Sequence, residues 1–107
     1  MKFKNTLNRS SVRYIVFQDK EDHTWYAVAL EFNIIESGDD PRVAFFNLLE
    51  AIHGYVNSAR KVKARSYILN QKADPEYEKL WNNLQGTEKS RGIPYNIFTF
   101  GKQLLPV

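Results

Sequence analysis

A chain of 107 residues has the length of one domain, and its 43% hydrophobic and 25% charged residues match a globular protein rather than a disordered tail or a membrane segment. The absence of cysteine excludes disulfides, thiolate metal sites and a cysteine nucleophile. A formal net charge of +3 permits a nucleic-acid surface without implying one, because such binding needs clustered cations.

The N-terminal MKFKNTLNRSS has no apolar run of signal-peptide length, and no stretch approaches the roughly 20 apolar residues of a membrane span. The expected location is therefore cytoplasmic, and the Asn8-Arg9-Ser10 sequon is a chance match. Val12 to Gln18 and Trp25 to Phe32 are rich in β-branched and aromatic residues and are separated by the polar DKEDHT, the pattern of a β-hairpin. A short third strand follows, Ile34 to Ser37, and then Gly38. Along the first two strands Val12, Tyr14 and Val16 alternate with Ile15 and Phe17, and Trp25, Ala27 and Ala29 with Tyr26, Val28 and Leu30. Both faces of the sheet are thus apolar.

Asp40 is placed to cap a helix, with Pro41 at its first position, and the helix is expected to run to about Arg60. Ala44, Phe45, Leu48, Leu49, Ala51, Ile52, Tyr55, Val56 and Ala59 form one broad apolar face. Neighbours on a helix lie about 100° apart, so Phe45 and Phe46 cannot both occupy the centre of that stripe. Phe45 belongs to the core. Phe46 heads a ridge with Leu49 and His53, spaced three and four residues apart. The basic connector KVKARSYILNQK follows, and then Asp74, Pro75 and Glu76 repeat the capping pattern of a second, short helix to about Gln85, ended by Gly86. Tyr77, Leu80, Trp81 and Leu84 share one face of it. GTEKSRGIP reads as a polar loop, and Tyr95 to Phe100 as a final strand.

These elements predict one α+β domain over residues 1–107 in the order β-β-β-α-α-β, with a core at 12–60 and a C-terminal extension at 61–107. One long helix covers one sheet face only. The face carrying Tyr14, Trp25 and Ala27 is therefore expected to be hidden in a symmetric homodimer, or else against the C-terminal helix.

The stretch YIVFQDKEDHTWYAVALEF, the following IIESGDDP and the helix start AFFNLLEAI resemble the HicB-like antitoxin family, over Tyr14 to Val56. The spacing of Gly38, Asp39, Pro41, Ala44, Asn47, Leu48, Ala51 and Ile52 carries the likeness. It implies half of a ribonuclease H-like sheet with its helix, and a protein that binds and neutralises a small ribonuclease of the HicA type. The chain departs from the family at Arg42 and Val43, where relatives have acidic residues, and at Phe32, Asn33 and Ile34, in place of a Pro-Gly-Cys turn. Asp74 to Val107 offers one short helix and one strand, which do not make a helix-turn-helix, so the resemblance is to a stand-alone member without a recognisable DNA-binding segment.

The residues themselves argue against chemistry. The loop Asp19, Lys20, Glu21, Asp22, His23 lacks the alternating ligands and central glycine of a calcium loop. The first strand has no carboxylate to start a ribonuclease H-like magnesium site; Glu31 and Glu50 lie elsewhere. His23 and His53 read as surface histidines. No catalytic residue, metal site or cofactor is expected, and the protein is read as a non-enzymatic interaction module. The candidate partner-binding residues are Phe46, Leu49, His53, Tyr77 and Trp81; the alternative is a nucleic-acid-binding adaptor using Arg60, Lys61, Lys63 and Arg65.

Overall fold

The computed structural model describes residues 5, 10–63, 65–86 and 95–105. The fold is α+β: β1 (Ser10–Asp19), β2 (Trp25–Ala29), β3 (Ile34–Gly38), α1 (Pro41–Lys61), a 3-10 turn at Ser66–Leu69, α2 (Pro75–Leu84) and β4 (Tyr95–Leu105). The strands form one antiparallel sheet in the order β3-β2-β1-β4. The expected polar loop after Gly86 falls on residues 87–94, outside the described set, as do most of the residues preceding β1.

Local chemistry sets the turns. The Asp19 carboxylate accepts from the amides of Glu21 and Asp22, and His23, at φ 62°, donates its amide to the Asp19 carbonyl. The acidic loop is therefore a side-chain-closed hairpin turn. Asn33 adopts φ 53°, a left-handed conformation that asparagine tolerates, and its amide donates to Gln71 Oε1 and to the Lys72 carbonyl. Asp40 Oδ1 accepts from the amides of Arg42 and Val43 at 2.8 and 3.1 Å, and Asp74 Oδ1 from that of Glu76 at 2.9 Å. Each caps the helix that its proline opens. Gly86, at φ 77°, takes the left-handed position just past α2.

Gly38 has a different reason to be glycine. A Cβ there would lie 2.6 Å from the Ala44 amide nitrogen and 2.9 Å from Val43 Cγ1, so only a bare backbone lets the end of β3 lie against the first turn of α1. That contact helps to seat α1 on the sheet. Val12, Val16, Ala27 and Ala29 meet Ala44, Leu48, Ile52, Val56 and Ala59, and the alanines on both sides let the layers approach closely.

The opposite face is covered in part by the same chain. Ile15, Phe17, Val28 and Leu30 pack with Ala73, Leu80 and Trp81, so α2 lies over the side that α1 leaves bare. Arg13 pins it there: its Nη1 and Nη2 donate to the two Glu78 carboxylate oxygens at 2.7 and 2.8 Å, and its Nε donates to Glu31. The guanidinium also sits 5.4 Å from the centre of the Trp81 ring. The hydrogen bonds from Arg13 hold the Glu78 carboxyl below its usual range, and Glu78 first, then Glu31, raise the Arg13 pKa.

Two features exceed what the residue pattern predicted. β4 does not stop at Phe100 but pairs with β1 over its whole length, with an irregularity between Val16 and Phe17. Gly101 leaves room beside this pairing: a Cβ there would lie 3.0 Å from the hydroxyl oxygen of Tyr14, whose side chain lies over β4 at that point. The basic connector is not a plain link either, because its 3-10 turn drives Leu69 into the core and presents the Ile68 carbonyl to the Tyr55 hydroxyl at 2.6 Å. Asn5 is buried beside it, donating from Nδ2 to the carbonyls of Ser11 and Leu69 and exchanging hydrogen bonds with Asn70.

Candidate partner-binding surface

α1 sorts the two adjacent phenylalanines. Phe45 is partly buried and stacks on Tyr14 with ring centroids 4.8 Å apart, while Phe46 turns away and is 60% exposed. Leu49 is half-buried and His53 exposed along the same edge, and Val43, one turn before Phe46, is exposed as well. Beyond them Leu49, Glu50, His53, Gly54 and Asn57 line a shallow open groove on the outside of α1. Phe46, Leu49 and His53 therefore form a continuous ridge, as their spacing predicts.

Tyr77 and Trp81 do not join it. They lie on the other side of the sheet, where Trp81 is only 8% exposed, with Phe100 edge-on at 5.9 Å and Arg13 over its ring. A tryptophan so covered packs α2 to the sheet and is not a free anchor for a partner. Tyr77 is half-buried against Phe17. The predicted five-residue surface divides into an exposed ridge of three and a pair that closes the fold.

The expected cover of the Tyr14, Trp25 and Ala27 face by the C-terminal helix needs correction too. Tyr14, Trp25 and Ala27 lie beneath α1: Ala27 is fully buried, Tyr14 is covered by Phe45, and Trp25 meets Phe98 edge-on at 6.2 Å. Within the chain it is α1, and not α2, that packs over them. Strand alternation shows that two faces are apolar but not which helix takes which. Exposed apolar surface appears instead at the sheet margins, at Ile35 on β3 and at Phe98, Phe100 and Leu104 on β4. Their strand pattern pointed to burial, and edge position overrode it.

Arg60, Lys61, Lys63 and Arg65 are all exposed around the end of α1, where cations complement the helix dipole, and the ring of Tyr67 is exposed nearby in the chain. Glu31, Glu50, His23 and His53 do not converge on one site. Glu31 is held by Arg13, Glu50 is exposed on α1, and His23 and His53 belong to a hairpin turn and a helix respectively. Among the described residues no group of three or more histidines, aspartates or glutamates is placed to hold a metal ion, and no helix is long and apolar enough to cross a membrane. Comparison with protein-family models, with curated proteins and with solved structures finds no match to this chain.

Proposed function

We propose that the chain is a non-enzymatic protein-interaction module that works as a HicB-like antitoxin does, by covering a small HicA-type ribonuclease or a related partner. The observation that carries this reading is the ridge on α1: a phenylalanine 60% exposed, followed by Leu49 and His53 on the same edge, in a chain whose other large aromatics mostly pack inward. Aromatic anchors of this kind dominate binding energy when a partner desolvates them. The sheet and helix over which the sequence resembles that family, 14–56, are also the part that presents the ridge.

The test is titration of the purified chain into RNA cleavage by a purified HicA-type ribonuclease. Wild type is expected to stop cleavage near equimolar ratio, and Phe46→Ala to require roughly tenfold or more protein. Cleavage unaffected by wild type refutes the reading. A second reading, a nucleic-acid-binding adaptor, is favoured by one observation, the four exposed cations of residues 60–65 with the exposed Tyr67 ring beside them in sequence. It requires RNA affinity that survives physiological salt.

A further inference from the structure

The sheet face under α2 is left open toward β3. Between the start of α2 and the sheet lies a hollow of about 280 Å3, lined by Phe17 and Asp19 of β1, Tyr26 of β2, Ile35 of β3, Tyr95 of β4 and Tyr77 of α2. It adjoins a second hollow, which shares Ile35 and Tyr77 and reaches Asp74. Phe17 is buried among three tyrosines, its ring centroid 5.8 Å from Tyr26, 5.9 Å from Tyr77 and 4.5 Å from Tyr95. The volume falls just below the roughly 300–1,000 Å3 of sites for drug-sized molecules, so it suits one side chain better than a cofactor.

Among the described residues that line the two hollows, the charged ones are Asp19 and Asp74, both acidic. Two more carboxylates hold the tyrosines by their hydroxyls: Tyr26 donates to Asp22 Oδ2 at 3.0 Å, and Tyr95 donates to Glu76. Burial first, then the charges of Glu76 and Asp74, push the Tyr77 phenol up, so that ring stays neutral in physiological solution. Asp19 and Asp74 each use Oδ1 to close a turn, which leaves each a second oxygen to offer a ligand.

We infer that this acid-rimmed aromatic hollow binds a cationic side chain, an arginine presented by a basic segment of a partner protein. Aromatic rings attract a cation through their π-electrons, and a nearby carboxylate adds Coulomb attraction and a hydrogen-bond acceptor. Arginine fits better than lysine, because a planar, weakly hydrated guanidinium can stack on a ring and still donate from its edge to Asp19 or Asp74. The hollow lies on the face opposite Phe46, so it stands or falls independently of the α1 ridge.

Fluorescence anisotropy with the whole chain tests it, using a labelled flexible peptide bearing arginine and the same peptide with lysine or with neutral citrulline instead. The arginine peptide is expected to bind most tightly and the citrulline peptide not to bind. Asp19→Asn/Asp74→Asn removes both charges while asparagine retains the turn and the helix cap. Tyr77→Leu keeps an apolar side chain and removes the π-face. Each change should weaken binding roughly tenfold or more without lowering the melting temperature in the Asp-to-Asn variant. Absence of arginine-peptide binding at low salt, equal binding of the citrulline or lysine peptide, or undiminished binding by the Asp-to-Asn variant overturns the assignment.

Discussion

Replacing Phe45 and Phe46 by alanine, one at a time, separates fold from contact surface at neighbouring positions. Phe45 covers Tyr14 at 4.8 Å and packs against the cluster under α1, yet it remains partly exposed. Deleting a fully enclosed phenylalanine costs about 3–5 kcal/mol, so Phe45→Ala should cost about 2–3 kcal/mol. Phe46 has less than half of its surface covered. Because complete burial of such a ring contributes about 1.5–3 kcal/mol, Phe46→Ala should cost about 1 kcal/mol or less. In a chain of 107 residues each kcal/mol moves the thermal midpoint by roughly 4–8 °C, so the two variants are readily told apart. Urea unfolding at unchanged slope measures both free energies. A loss from Phe46→Ala as large as that from Phe45→Ala refutes the argument, because it would mean that the chain itself covers the ridge.

Gly38→Ala should destabilise by about 1–3 kcal/mol in urea, since its Cβ would press on the backbone of α1 at Ala44; unchanged stability would show that this close approach is dispensable. Glu78→Gln tests the clamp on α2 through pH. The Glu78 pKa is depressed in the folded chain, so its contribution is present above the ordinary carboxylate value near 4.3 and is lost as pH falls through the lower folded value. The gap in melting temperature between wild type and Glu78→Gln should therefore be modest at pH 7, because the side chain is 40% exposed, and should close in acid; a gap constant down to about pH 2 contradicts the clamp. If Arg60, Lys61, Lys63 and Arg65 only complement the helix end, RNA binding should be weak and fade steeply with salt. Submicromolar RNA affinity at physiological salt, abolished by changing all four to glutamine, would place the adaptor reading first.

The parts of this structure that were legible in the sequence are those whose cause is local. Asp40 with Pro41 and Asp74 with Pro75 announce their helices because a cap is made within three residues, and Gly86 ends α2 for the same reason. Phe46 could be set apart from Phe45 because helical geometry alone turns it off the apolar stripe. What the sequence hid depends on residues far apart. The reach of β4 past Phe100 was obscured because Gly101, Lys102 and Gln103 break the strand pattern, and Gly101 makes sense only once the Tyr14 side chain lies over it. Asn5 and Asn70 are polar residues 65 positions apart, and nothing local says that each completes the other's hydrogen bonds in a buried pocket. Trp81 was the hardest to place, because periodicity shows that α2 has an apolar face without showing what that face covers. The same limit applies to the hollow around Phe17. Alternation puts Phe17 and Tyr26 on one face of the sheet, but Tyr77 and Tyr95 reach it from α2 and β4, and their acidic neighbours travel with them as a helix cap and a first-turn carboxylate. Residues whose local role is to start a helix thus also set the charge of a surface, which is why the capping pattern was readable and the site it builds was not.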